Sequence, residues 1–120
     1  MAARAAPARA PEAHETTNEV RLLGRLSVDP VERVLPSGDR VVTLRVVVPR
    51  PAPRRSPQAP TVDVVDVGCW SAATRRSALR LRAGDEVEVS GSLRRRFFRT
   101  GAGVQSRYEV EAGVVRKRAP

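Results

Sequence analysis

The side chains with the most chemical potential in this chain lie together in residues 94–108 (RRRFFRTGAGVQSRY). Arg94, Arg95, Arg96, Arg99 and Arg107 fall there, Phe97, Phe98 and Tyr108 are set among them, and no acidic residue interrupts. Guanidinium groups track phosphates while flat rings accept bases, each stack being worth about 1–3 kcal/mol, so this mixture suits single-stranded nucleic acid. Arg also stacks on a base, which Lys does poorly. Two plainer readings stand beside it: the Arg run as a solvated hairpin and the Phe pair as a small satellite core. Trp70 adds a ring from another part of the chain, either as a second base platform or as a cap on the fold.

Other chemistry finds little footing. His14 is the only histidine and lies in an Ala- and Pro-rich leader. Cys69 is alone and in the core phase of its strand, where a thiol is usually a small inert hydrophobe. No Cys/His set has metal-ligand spacing. The pairs Asp63/Asp66 and Glu86/Glu88 read as strand-face charges rather than a catalytic dyad. Gly101-Ala102-Gly103 lacks the strand-to-helix setting of a phosphate-cradling loop. We expect no enzyme, no metal and no cofactor.

The composition points the same way. The 120 residues carry 22 Lys+Arg against 13 Asp+Glu, a net charge of +9, and Lys117 is the single lysine. Such an excess in one small domain suits a polyanion, nucleic acid first and anionic lipid second. No apolar run approaches the roughly 18 residues of a membrane span. One cysteine excludes a disulfide scaffold. Residues 1–17 contain two Arg and two Glu, so the whole +9 sits on residues 18–120. That leader has no large apolar side chain to pack and is expected to be disordered. It lacks the apolar stretch of a secretory signal, and Pro7, Pro11, Glu12 and Glu15 argue against a transit peptide.

The elements that must position these groups follow from alternation. Val20, Leu22, Leu26 and Val28 share one face of a first strand, with Arg21, Arg25 and Ser27 opposite. Asp29-Pro30 stops it, and Pro36-Ser37-Gly38-Asp39 makes a turn. In a second strand, Arg40 to Val48, the face of Val42, Leu44, Val46 and Val48 opposes Val41, Thr43, Arg45 and Val47. Five prolines in residues 49–60 then forbid ladder or helix and give an extended loop over residues 49–61, made basic by Arg50, Arg54 and Arg55. This loop reads equally as a solvated linker or as a nucleic-acid contact. A third strand, Val62 to Trp70, points Val65, Val67 and Cys69 inward and Val64, Asp66 and Trp70 outward. Residues 71–82 form the one plausible helix, with Ser71 as N-cap. A fourth strand from Glu86 to about Arg96 has Val87, Val89, Gly91 and Leu93 on its core face. Continued alternation gives Phe97 the core phase and puts Phe98 with Arg94 and Arg96. A fifth strand runs from about Ser106 to Val115. Three strands, a helix and two strands describe an all-β five-stranded OB-fold barrel, a fold that offers strands 2 and 3 and two loops to oligonucleotides or oligosaccharides.

With these residues in order, the chain resembles the bacterial single-stranded DNA-binding protein family. Residues 18–38 (NEVRLLGRLSVDPVERVLPSG) are similar to its opening, Asn-x-Val-x-Leu-x-Gly-x-Leu, then Asp-Pro, an Arg and a Pro-Ser/Asn-Gly turn. Residues 69–96 (CWSAATRRSALRLRAGDEVEVSGSLRRR) resemble its third-strand end, helix and fourth strand, and Trp70 to Gly84 keeps the family offset of fourteen. Residues 107–115 (RYEVEAGVV) resemble the fifth strand. The resemblance implies a domain over residues 18–116, a homotetramer, and single-stranded DNA bound without strong sequence preference in replication, recombination or repair, in the cytoplasm with the nucleoid. It implies base stacking by Trp70 and Phe98. The other stacking tryptophans of the family would fall near Val64 and Ala52, neither of them aromatic. Affinity should therefore lean on arginines, with Arg25, Arg45, Arg50, Arg54, Arg55, Arg94, Arg96, Arg99 and Arg107 as candidates, and so on salt. The sequence ends VVRKRAP, a short basic tail over residues 117–120. It lacks the family's acidic tip, so recruitment of repair enzymes through a tail is not expected, and a short paralogue is. The Arg, Ala and Val usage looks like that of a high-GC organism such as an actinobacterium. Two alternatives remain: an OB-fold subunit that docks a replication or recombination protein, and a binder of single-stranded RNA.

Overall fold

Valine and leucine in alternation give this chain its barrel. The computed structural model describes residues 14–52 and 55–118. Most of the expected leader, Arg54 of the proline loop and the last two residues of the basic tail lie outside the described residues. Strand β1 is Val20–Leu26, β2 Val31–Val34, β3 Arg40–Pro49 and β4 Val62–Cys69; helix α1 is Ala72–Leu79, and β5 (Glu86–Thr100) and β6 (Gly103–Lys117) follow.

The strands pair in the order β1-β5-β6-β4-β3-β2, and β1 also pairs with β3. Five strands thus close a ring, and β2 hangs on the outer edge of β3. All pairings are antiparallel except β4 with β6, whose two paired residues run parallel and shut the barrel. This is the five-stranded OB barrel with one helix between its third and fourth ring strands. Register places apolar partners opposite one another on the inside: Leu44 meets Val67, Val42 meets Cys69, and Val67 meets Val110. Val42, Leu44, Val46, Val67, Cys69, Val87, Val89, Val110 and Leu26 are at most 2% exposed. Each fully buried Val or Leu is worth about 1.5–3 kcal/mol, so this aliphatic set is the main stabilising term.

An eight-residue helix is too short to stand alone in water. Here Ser71 caps it, its hydroxyl accepting from the Thr74 amide, and Thr74 and Ala78 are buried on the barrel. Leu81 just beyond adds a further buried side chain. At the other end of the chain, the Asn18 amide both donates to the Leu93 carbonyl (2.9 Å) and accepts from the Leu93 amide (2.8 Å), which prolongs the β1–β5 edge.

The structure departs from the sequence expectations beyond small shifts of element ends, such as the helix closing at Leu79, β5 running to Thr100 and β6 spanning Gly103 to Lys117. β2 was not expected, because VERV is four residues long and has no buried face; all four are exposed. β1 ends at Leu26, so Val28 leaves the core face and is 48% exposed. Leu93 and Phe97, placed in the core phase, are 45% and 67% exposed. Their phase is right, since Leu93 lies opposite the buried Val110. What fails is the barrel itself, which ends near Gly91 while β5 and β6 continue as a two-stranded ribbon with solvent on both sides. The departure point is a bulge: Ser90 pairs with Val114 and Gly91 with Ala112, leaving Gly113 over. A Cβ on Gly91 would lie 2.0 Å from the Glu111 carbonyl oxygen, so the close approach there needs glycine.

Candidate nucleic-acid interface

Directly paired residues of a ladder share a face, and faces alternate along a strand. In the β5–β6 ribbon Arg94 pairs with Glu109, Arg96 with Arg107, and Phe98 with Gln105, so these six form one face. That face continues the outer surface of the barrel, where Trp70 stands at the end of β4. The Trp70 indole N–H donates to Glu109 Oε2 (3.1 Å). Arg75 of α1 donates to the Trp70 carbonyl, which ties the ring's backbone to the helix. Gly68 makes the approach possible: a Cβ there would meet Glu109 Oε2 at 2.4 Å and the indole nitrogen at 2.8 Å.

Both rings on this face carry a guanidinium. Arg96 lies 4.8 Å from the Trp70 ring centre, and Arg107 lies 4.8 Å from that of Phe98. Arg96 is also fixed by its own ion pairs, to Glu109 Oε2 at 3.0 Å and to Glu111 Oε1 at 2.7 Å, while Arg94 reaches the same Glu111 oxygen at 3.3 Å. Two cations here are thus matched by two carboxylates. Arg107 makes no ion pair among the described residues and keeps its full charge for another partner. Beside this wall runs a cleft of about 300 Å³ lined by Val28, Val31, Arg33, Thr43, Arg45, Asp66, Arg107 and Glu109. Its walls are apolar at Val28 and Val31 and carry three arginines against two carboxylates, Asp66 and Glu109, which leaves a net positive lining for a base with its phosphate.

The structure brings together Trp70, Phe98, Arg94, Arg96, Arg107 and Arg45 among the expected residues. Arg45 is paired with Asp66 at 3.3 Å. Arg50 stands at the root of the proline loop, hydrogen-bonded to Asp63 at 2.7 Å, and this contact holds the Asp63 carboxyl below its ordinary range. Arg55 is exposed in that loop, and Arg54 is outside the described residues. Arg25 lines a separate cleft of about 280 Å³ with Glu86 and Arg118. Arg99 pairs with Val104 and falls on the opposite face of the ribbon from Phe98. The alternation that placed Phe98 beside Arg94 and Arg96 already put Arg99 out of phase with them.

Sequence reasoning passed over two groups. Arg33 reaches the cleft from β2, and its signal was the Arg after Asp-Pro. Glu109 organises Trp70 and Arg96, yet in the sequence it is one acid among the alternating residues of the last strand, so nothing marked it. Cys69 lies directly beneath. Burial, with the Glu109 carboxylate adding to it, pushes the thiol up to about 12, which leaves it neutral and unreactive near pH 7. Among the described residues no three His, Cys, Asp or Glu side chains group as metal ligands, and no helix is long and apolar enough to cross a membrane.

Comparison with known proteins fits this geometry. The profile of the single-strand binding protein family matches residues 17–117. A Thermotoga maritima protein named "Single-stranded DNA-binding protein" is 34% identical over 101 residues, which covers 82% of this chain and 72% of that protein. The solved structure titled "Plasmodium falciparum SSB complex with ssDNA" superposes with a TM-score of 0.68 over 87% of this chain and 95% of its own, at 20% identity, a likeness of fold. With the family profile spanning the whole barrel and ribbon, this chain belongs to the single-strand binding protein family.

Proposed function

We propose that the chain binds single-stranded DNA without strong sequence preference and protects it in replication, recombination or repair. The observation that supports this most is the shared outer face of Trp70 and Phe98, each ring with a guanidinium 4.8 Å from its centre. A base that takes the place of a guanidinium over a ring exchanges one flat contact for another of about 1–3 kcal/mol. An arginine displaced in this way, Arg107 first because no carboxylate among the described residues holds it, then lies within reach of the adjoining phosphate. In this reading Trp70 and Phe98 stack bases. Arg94, Arg96, Arg107, Arg33 and Arg45 hold the backbone along the cleft. Arg25, Arg50, Arg54, Arg55 and Arg99 extend the charge beyond it. Neither stacking nor phosphate contact reads base edges, hence the lack of sequence preference. The chain acts as a binding protein rather than an enzyme, in the cytoplasm with the nucleoid, and as the homotetramer that the family resemblance implies.

The lone tryptophan makes the test direct. Trp70 emission should quench on titration with oligo-dT, and the affinity should fall steeply as salt rises. Unchanged emission with no salt-sensitive binding would sink the proposal. Sedimentation at several concentrations reads the tetramer, and matched ribo- and deoxyribo-oligomers decide between RNA and DNA. One observation favours a second reading, a protein-docking subunit. Val64 is 55% exposed on the outer face where a stacking ring was expected. Nuclease-insensitive capture of a replication protein, with DNA affinity weaker than micromolar, would support it.

A further inference from the structure

The reverse face of the β5–β6 ribbon is the most unusual surface of the molecule. Register assigns it Arg95, Phe97 and Arg99 from β5, and Val104, Ser106 and Tyr108 from β6. Phe97 is 67% exposed and Tyr108 61%, against 37% for Phe98 on the front. Between the two rings stands Arg95, 5.3 Å from the centre of Phe97 and 5.6 Å from that of Tyr108. Its guanidinium donates to the Ser106 hydroxyl at 3.0 Å and meets no carboxylate among the described residues. Arg99 meets none either. The front face holds Glu109 and Glu111, which engage Arg94 and Arg96, whereas the reverse face carries cations and rings with no acid at all. Exposed rings are costly in water, and unpaired arginines repel one another, so this face suits a partner that is both flat and anionic.

We propose that the reverse face is a second base-stacking platform, on which the same single strand continues after turning round the edge of the ribbon. Phe97 and Tyr108 receive bases, and Arg95 and Arg99 take the phosphates between them. Paired strands lie only about 4.8 Å apart, so the ribbon is narrow enough for a flexible strand to pass from front to back. The inference rests on the DNA-binding reading of the front face and deepens it, since the ligand is the same but the bound length is greater.

The test is a titration of the full chain, at one salt concentration, with a short oligo-dT of about 8 nucleotides and a long one of about 16, lengths within the range one OB fold engages. Trp70 emission reports the front face throughout. The double variant Phe97→Ala/Tyr108→Ala should bind the short oligomer as the unchanged chain does and the long one about tenfold or more weakly. The ring-retaining pair Phe97→Tyr/Tyr108→Phe should keep both affinities. If the Ala pair leaves both lengths untouched, the platform does not exist. If it weakens both equally, the two faces are one site and the proposal fails. Unaltered DNA affinity with dissociation into smaller species on sedimentation would overturn it by assigning the face to a second copy of the chain. If the unchanged chain quenches with neither oligomer, the front-face reading itself is wrong, a result distinct from the others.

Discussion

The barrel and the ribbon are built from different residues. Every large side chain sealed inside the barrel is Val, Leu or Cys, and the core contains no ring. All four rings of the chain lie outside it: Trp70 half-buried at the rim, and Phe97, Phe98 and Tyr108 exposed on the ribbon. In most domains of this size aromatics dominate core packing. Here the fold stands on aliphatic side chains meeting across the ladders, and the rings, each with an arginine over it, are left at the surface. Stability and binding therefore reside in separate residues, and substitutions should separate them.

The largest expected effect is in the barrel. Leu44 is 1% exposed and packs in the ring's interior. Leu44→Ala should cost about 2–5 kcal/mol of stability by urea unfolding. Its affinity for oligo-dT, measured where both proteins are folded, should not change. A matching loss of affinity would mean that the barrel and the ribbon are not separable. The converse substitution is Phe98→Ala. Binding should weaken by about 1–3 kcal/mol with the unfolding midpoint nearly unmoved. If stability falls while affinity holds, Phe98 is packing rather than platform.

How much of this was legible in the sequence follows from the same division. Inside the barrel, alternation is enforced by burial on one face, and so the faces of β3, β4 and the first half of β5 could be read directly from Val, Leu and Asp. The N-cap Ser71 and the stop at Asp29-Pro30 were legible for equally local reasons. Alternation also told correctly that Phe98 shares a face with Arg94 and Arg96. It could not tell where the barrel ends, because the phase of Phe97 is the same with or without a sheet opposite it. The boundary depends on the bulge at Gly91, a tertiary feature. β2 escaped because an exposed four-residue strand has no buried face to betray it. The carboxylates that engage Arg94 and Arg96 were invisible within residues 94–108, since Glu109 and Glu111 lie just past them and meet them only through the hairpin.

Cys69 probes the barrel beneath the interface. Its thiol titrates near pH 12 when folded against an ordinary value of 9.0, so the folded state holds the proton longer than the unfolded one. The stability it contributes is complete below pH 9 and is lost as pH rises from 9 toward 12, at about 1.4 kcal/mol per unit. Near pH 10 the loss should be about 1.4 kcal/mol, and Cys69→Ala should remove that part of the pH dependence. Identical slopes for the two proteins would show that the thiol is solvated. A thiol reagent at pH 8 should likewise react only as the protein unfolds.

The smallest effect is expected at Glu109, where the two regions join. Its carboxylate accepts from the Trp70 indole and pairs with Arg96, so it both orients a ring and holds a cation away from phosphate. Glu109→Gln keeps an amide oxygen for the indole and removes the charge. The ion pair is only partly shielded, so the stability change should stay within about 1 kcal/mol. Arg96 would keep its 2.7 Å pair with Glu111 but lose one of its two carboxylates, so more of its charge becomes available to phosphate, which should steepen the plot of log affinity against log salt by at most about 0.7 and raise affinity at low salt. A flat response with weaker quenching of Trp70 would assign Glu109 to positioning the ring alone. A steeper slope would mean that the carboxylate sets the strength of binding, holding at the junction a cation that the reverse face leaves free.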